Sequence, residues 1–259
     1  MLSFNFVQLF SYKDLLINLV LRDLIIKYKR SVVGFCWTMI HPLMNMIVLT
    51  IVFSGIFRIH MKDFVIYFLS GFQLWLFFSQ STTMSSRCML TNANILKKVY
   101  IPKPIIVISI ISSELVNFIL SLLPLFLLLL ILRKGLTISL LFLPIPIFIM
   151  IIFSLGISLI LSAITVFFYD IGDIYQLVLN PLMYFTPILY PLDIIPARFQ
   201  PLMKINPLYY LIECFRTPIY QGRLPEPLDV FLASLIAAAA LVIGMYVFSR
   251  LSDRFIYYI

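Results

Sequence analysis

Charged residues in this chain are spaced so widely that they act as punctuation. Ser31 to Phe57 is a run of 27 residues without Asp, Glu, Lys or Arg, and Phe64 to Ser86 is one of 23. Pro104 to Leu132 gives 29, interrupted only by Glu114, and Gly135 to Tyr169 gives 35. Ile174 to Leu192 gives 19 and Val230 to Ser249 gives 20. An α-helix needs about 20 apolar residues to cross the hydrocarbon core of a bilayer. The spacing therefore predicts six spans, at about 34–57, 64–86, 105–132, 145–168, 174–192 and 229–249. The 35-residue run is too long for one simple crossing, and Pro144 and Pro146 predict a break near its start.

Composition agrees. Apolar residues make up 62% of the 259 and charged residues 12%, against roughly 45–50% and about 25% in soluble domains. Disorder, a disulfide scaffold and a typical soluble enzyme are excluded. The expected class is an all-α membrane protein. Cys36, Cys88 and Cys214 are too few and too scattered for a disulfide framework or a metal cluster. The first thirty residues mix charged and apolar side chains, so no cleavable signal is predicted. The net charge of +8 reads as basic loops kept on the cytoplasmic side rather than as a nucleic-acid surface. With six spans, the side holding both termini carries eleven Lys and Arg against eight on the other. Both termini are accordingly expected in the cytoplasm, and the protein in the cytoplasmic (inner) membrane as a multi-pass chain.

Two regions follow: a tail at 1–30 and a six-span domain at 31–259. Within the tail, Leu9 to Lys29 carries enough charge to resist insertion, yet Tyr12, Leu15, Leu16 and Leu19 recur at helical spacing. Such a helix lies in the membrane interface with its apolar face down. It is either a simple anchor or a lever for a cytoplasmic partner. Between the fifth and sixth spans, Asp193 to Asp229 holds six prolines and apolar runs too short to cross. It predicts short surface or re-entrant helices.

The loop Arg87–Lys103 reads RCMLTNANILKKVYIPK. Thr91 or Asn92 can cap a short helix there, whose Lys97 and Lys98 either hold lipid headgroups or enter a cleft on a partner. Glu114 lies well inside a predicted span, with Asn117 one turn on. It is either a pathway or interface residue, or a group near the cytoplasmic end reached by water. Most of the 24 Phe, 14 Tyr and 2 Trp fit an aromatic belt, and a minority can line a conduit along which sugars slide. Ser79, Gln80, Ser81, Thr82, Thr83, Ser85 and Ser86 form a polar run that faces either a neighbouring helix or a wet cavity. The chain has no Gly-x-x-x-x-Gly-Lys-Ser/Thr phosphate loop, no metal constellation around His41 and His60, and no convincing carboxylate pair. It is not expected to be an enzyme.

Five blocks in order carry a resemblance: LVLRDLIIKYKRSVVGFCWTMIHPLMNMIVLTIVFSGIF (Leu19–Phe57), LSGFQLWLFFSQS (Leu69–Ser81), TNANILKKVYIPK (Thr91–Lys103), FTPILYPLDIIP (Phe185–Pro196) and INPLYYLIECFR (Ile205–Arg216). Together they resemble the ABC-2 type permeases that export polysaccharides, among them the O-antigen, teichoic-acid and capsule exporters. One departure is visible: Tyr169 stands where that family commonly has Arg before Asp170. The resemblance implies the ABC-2 (type V) exporter fold, built as a homodimer with six spans per chain. Two copies of a separate ATPase subunit would hold the ATP and Mg, with no cofactor bound by this chain.

On that resemblance Leu9–Lys29 is similar to the interface helix and Asn92–Val99 to the coupling helix, so Arg22, Asp23, Asn92, Lys97 and Lys98 are the expected ATPase-coupling residues. Trp37, Trp75, Phe78, Glu114, Tyr184 and Tyr190 are the expected pathway residues. Asp193–Gly222 is similar to the extracytoplasmic gate helices, which makes Pro196, Asn206 and Arg216 the expected gate residues. The expected partners are the ATPase, a second copy of the chain, membrane lipids and a lipid-linked glycan, with no nucleic acid. The main rival is an exporter of a small hydrophobic molecule or drug on the same fold. A membrane-embedded transferase would need an acidic metal site, and an ion-coupled transporter would show more buried charge and an internal repeat.

Overall fold

The computed structural model describes residues 12–29, 34, 37–52, 63–99, 101–132, 137–255 and 258. Among these residues the regular structure is all helical. The α-helices are α1 (Lys13–Tyr28), α2 (Trp37–Thr50), α3 (Phe64–Ser86), α4 (Cys88–Thr91), α5 (Ala93–Lys98), α6 (Pro104–Ile131), α7 (Pro144–Phe167), α8 (Ile171–Phe185), α9 (Gln200–Ile205), α10 (Pro207–Tyr220) and α11 (Pro227–Ser252). Short 3-10 turns at Ile138–Phe142 and Leu192–Ile194 precede α7 and α9.

Proline sets several of the boundaries. Helices α6, α7, α10 and α11 each begin on one, where the missing N–H has no intrahelical partner to lose and the fixed φ suits the first turn. The 3-10 turn ahead of Pro144 is the break predicted inside the 35-residue run. At α10 the Asn206 side chain completes the cap by accepting from the Leu208 N–H at 3.0 Å.

Among the described residues, four segments are long and apolar enough to cross a membrane: α3, α6, Ile138–Phe167 and α11. Helix α2 has 14 residues, and residues 35, 36 and 53–57 of the first predicted span fall outside the described residues. Helix α8 has 15 and stops at Phe185, seven residues short of the predicted end, because Thr186 turns extended and Pro187 follows.

Helix α3 is the hub, packed against α2, α6, α7, α8 and α10. It is also the least apolar of the long helices, and 72% of its spanning window is buried, against 22% for α11. That inversion fits a membrane, where lipid-facing helices must be apolar and a helix surrounded by protein can carry polar groups. The hydroxyls of Ser70, Thr82, Ser109, Ser121, Ser162 and Thr165 donate to carbonyls of their own helices, so they need no water.

The most extensive helix pair is α7 with α11. A Cβ on Gly156 would lie 2.4 Å from the Ala240 carbonyl carbon, and one on Gly244 would lie 2.3 Å from the Gly156 oxygen. The two backbones touch only because both residues lack side chains.

The contacts sort the connections into two ends. Lys27 with Glu114, Arg87 with Asp173, Lys103 with Ser252, and Phe167 with Phe255 gather at one end. Tyr67 with Pro187 and Tyr220, and Ser139 with Pro218, gather at the other. The first end holds the segments expected to face an ATPase, and the second holds those expected to form a gate.

Candidate functional site

The first end is organised around a buried carboxylate. The Glu114 side chain, on α6, is 3% exposed. Its two oxygens accept from Lys27 Nζ at 2.9 and 3.1 Å. Asn117 Nδ2, one turn along α6, donates to Oε2 at 3.1 Å, and the Tyr28 hydroxyl donates to Asn117 Oδ1 at 2.7 Å. Burial, and then the negative charge of Glu114, push the Tyr28 phenol up to about 12, so it stays protonated as a donor. A lone carboxylate inside a span is costly; here α1 supplies the cation that offsets it.

Glu114 ties α1 to α6, a helix contact that belongs to the interface side of the first reading drawn from sequence. It also turns the helix: Leu19 is buried and Leu15 packs on the core, whereas Ile17, Leu21 and Ile25 face outward. Leu15 and Leu19, two residues of the stripe expected to lie on lipid, thus pack against the protein. Sequence offered one signal, an unpaired acid in a span that requires a partner, but nothing local singles out Lys27 among five basic residues of the tail.

The network lines a cavity of about 370 Å³ between α1, α2, α3 and α6. Its walls include Trp37 from α2, 58% exposed, with Gln73 and Gln80 from α3. A second cavity, of about 400 Å³, opens between α3 and α8 and is lined by Trp75, Ser79, Gln80, Thr83, Gln176 and Asn180 among others. Gln80 lines both. The polar run of α3 therefore splits. Ser79, Gln80 and Thr83 face the second cavity, while Ser81, Thr82, Ser85 and Ser86 are buried. Thr82 Oγ1 accepts from the Tyr175 hydroxyl of α8 at 2.7 Å.

Arg87, at the foot of α3, pairs with Asp173 in the first turn of α8 at 2.6 Å. Its guanidinium lies 4.6 Å from the Tyr169 ring centroid. Tyr169 thus holds a positive charge supplied from α3, at the position where the resembling family carries its own Arg. Lys103 sits at the same end, donating to the Ser252 carbonyl. Burial draws its pKa down.

Of the expected coupling residues, Arg22 and Asp23 pair with each other at 3.0 and 2.8 Å. Asn92 occupies the N-cap position of α5, but its amide donates back to Cys88 O at 2.9 Å instead of capping. Lys97 and Lys98 end α5 in exposed positions. Of the expected pathway residues, Trp37 and Glu114 share the first cavity, and Trp75 borders the second. Phe78 is buried, stacked on Phe153 with centroids 5.4 Å apart, and lines neither. Tyr184 and Tyr190 come together, the Tyr190 hydroxyl donating to Tyr184 O.

At the opposite end, Arg216 of α10 is 1% exposed. Its Nη1 donates to Pro187 O at 2.8 Å and lies 3.5 Å from Glu213 Oε2. Its guanidinium carbon stands 3.8 Å from the Tyr67 ring centroid, and the Tyr67 hydroxyl itself donates to Pro187 O and Tyr190 O. Nη2 is so close to Gly71 that a Cβ there would lie 2.2 Å away. Asn206 Nδ2 donates to Thr186 Oγ1 at 2.8 Å. Asn206 and Arg216 thus clamp the 186–190 segment to α3 and α10, while Pro196 lies exposed on the loop beyond. Among the described residues, no three His, Cys, Asp or Glu side chains gather as metal ligands would.

Residues 15–220 match the family model for ABC-2 type transporters. The O-antigen export system permease protein RfbA of Myxococcus xanthus is 29% identical over 251 residues, 96% of each chain. RfbA of Klebsiella pneumoniae is 29% identical over 258 residues, 98% of this chain and 97% of that one. The polysialic acid transport protein KpsM of Escherichia coli is 26% identical over 243 residues, 88% of this chain and 89% of its own.

Proposed function

The chain belongs to the ABC-2 type transporter family, and from that premise we propose that it is the membrane permease of an ATP-driven exporter that carries a lipid-linked, O-antigen-like polysaccharide across the cytoplasmic membrane. What carries this reading is similarity along nearly the whole chain to permeases named for O-antigen export. The polar seam along α3 and α8 supports it and suits a sugar better than a small hydrophobic molecule.

A polysaccharide cannot cross hydrocarbon, because its hydroxyls would lose their hydrogen bonds at several kcal/mol each. Two copies of the chain, six spans apiece, enclose a hydrated conduit between them. Two copies of a separate ATPase dock on the end that carries α1, α4 and α5, with Arg22, Asp23, Asn92, Lys97 and Lys98 at the contact. That end, with both termini, faces the cytoplasm. ATP and Mg reside on the ATPase, and nucleotide-driven closure moves α1 and α5. Lys27 and Glu114 pass the displacement of α1 to α6, and Arg87 and Asp173 pass that of α4 and α5 to α8. At the outer end, release of the Arg216 and Asn206 clamp frees the 186–190 segment. Only a difference in stability between open and closed states moves such an equilibrium, and these pairs are where the two states can differ.

Deleting the chain from its native cell tests the reading. Surface polysaccharide should disappear while the lipid-linked glycan accumulates on the cytoplasmic face. Undiminished surface glycan would overturn it.

A further inference from the structure

The second cavity has a chemistry of its own. No Lys, Arg, Asp or Glu lines it. Its polar groups are the amides of Gln80, Gln176 and Asn180 and the hydroxyls of Ser79 and Thr83. Gln176 and Asn180 are four apart on α8, so they share one helix face. Gln80, Gln176 and Asn180 are all exposed, and their amides make no hydrogen bond among the described residues. An amide offers donors and an acceptor together, as a sugar hydroxyl does. A row of unengaged amides therefore matches a hydroxyl-rich, uncharged surface.

A polyanion makes a different demand. Even in a hydrated conduit, each carboxylate or phosphate that passes close to the low-dielectric wall loses part of its solvation and needs a cation or a cluster of strong donors there. Helices α2, α3, α6, α7 and α8 contain no Lys or Arg. Among the described cations, Lys27 is paired with Glu114, Arg87 is paired with Asp173 and lies over Tyr169, and Arg216 is 1% exposed and so shut away from the groove.

We propose that the groove between α3 and α8 is a sugar-contacting surface that selects an uncharged glycan over a polyanionic one, with Gln80, Gln176 and Asn180 as its contact residues. This rests on the export function proposed above and narrows its substrate class. The groove reads hydroxyls and turns away fixed negative charge, so the repeat unit of the native glycan is neutral.

The test uses the full chain with its ATPase in proteoliposomes. Two probes share one lipid anchor, a neutral galactan and polysialic acid of similar length. The wild type should export the galactan at least about tenfold faster, since even a partial loss of solvation, of about one to two kcal/mol, is a roughly tenfold effect. Asn180→Lys should narrow that ratio by raising polysialic acid export, and Gln80→Ala should slow galactan export. Equal export of both probes by the wild type, or preference for polysialic acid, overturns the inference while leaving the export function intact. Export of neither removes the export function and this inference with it. The wild-type comparison decides the matter even if the Asn180 variant fails to fold.

Discussion

Lys27 and Glu114 lie 87 residues apart in sequence and 2.9 Å apart in space, joining α1 to α6, a helix long and apolar enough to cross a membrane. The carboxylate is 3% exposed and the ammonium side chain 32%. The cost of separating them therefore falls on Glu114, left buried without its cation.

Lys27→Ala should accordingly lower stability by about 2 kcal/mol. That is below the 3–5 kcal/mol typical of a fully buried pair, since Lys27 is partly solvated. Lys27→Ala combined with Glu114→Gln should cost less than Lys27→Ala alone, because the second change removes the stranded charge. Thermal unfolding of the purified variants in detergent measures both. A double variant less stable than the single would contradict the assignment.

Tyr28 gives the same network a pH dependence. Its phenol rises from 10.0 to about 12 on folding, so its contribution is fully present below pH 10 and is lost as pH rises from 10 toward 12. Across that window the wild type should lose stability relative to Tyr28→Phe. Parallel melting curves of the two proteins as a function of pH check this.

At the other end, Gly71→Ala places a methyl group where Arg216 Nη2 now sits. The guanidinium has little room to retreat, being held by Pro187 O and the Tyr67 ring. The substitution should cost about 1–3 kcal/mol and loosen the 186–190 segment. Faster amide exchange at Ile188 and Leu189, with exchange in α7 unchanged, is the expected signature.

Gly156→Ala and Gly244→Ala should each push α7 and α11 apart at the Ala240 crossing. The atoms in the way are backbone and cannot swing aside, so a loss of about 2 kcal/mol or more is expected. Thermal midpoints read it directly.

The all-helical class is legible in the sequence, and among the described residues four of the six runs predicted from charge spacing form helices long enough to cross a membrane, several of them starting at prolines. Pro104, Pro144, Pro207 and Pro227 each open a helix. Less legible was how much of each run is one helix, as at α8, where Thr186 and Pro187 end it early. The site was legible only as residue types. Glu114 stood out, but its partner did not, because the pairing depends on how α1 lies across α6. Arg216 was noticed, but Tyr67 and Gly71, which enclose it, look in sequence like an aromatic-belt residue and an unremarkable small one. Gln80 looks in sequence like one member of a polar run. That its amide, with those of Gln176 and Asn180, lines one groove follows from the packing of α8 on α3, which no periodicity records.

Two exposed lysines test the docking end. Lys97→Glu with Lys98→Glu reverses the charge of α5 without touching the core. The double variant should reach the membrane at normal levels and lose most of its copurifying ATPase. Retention of the ATPase would place the contact elsewhere.

The most direct measurement is translocation of a lipid-linked glycan in proteoliposomes that hold the purified chain, assayed with and without the ATPase subunit and ATP. The account predicts glycan delivery only when chain, ATPase and ATP are all present. Delivery that continues without the ATPase or nucleotide, or none with the complete set, would contradict it.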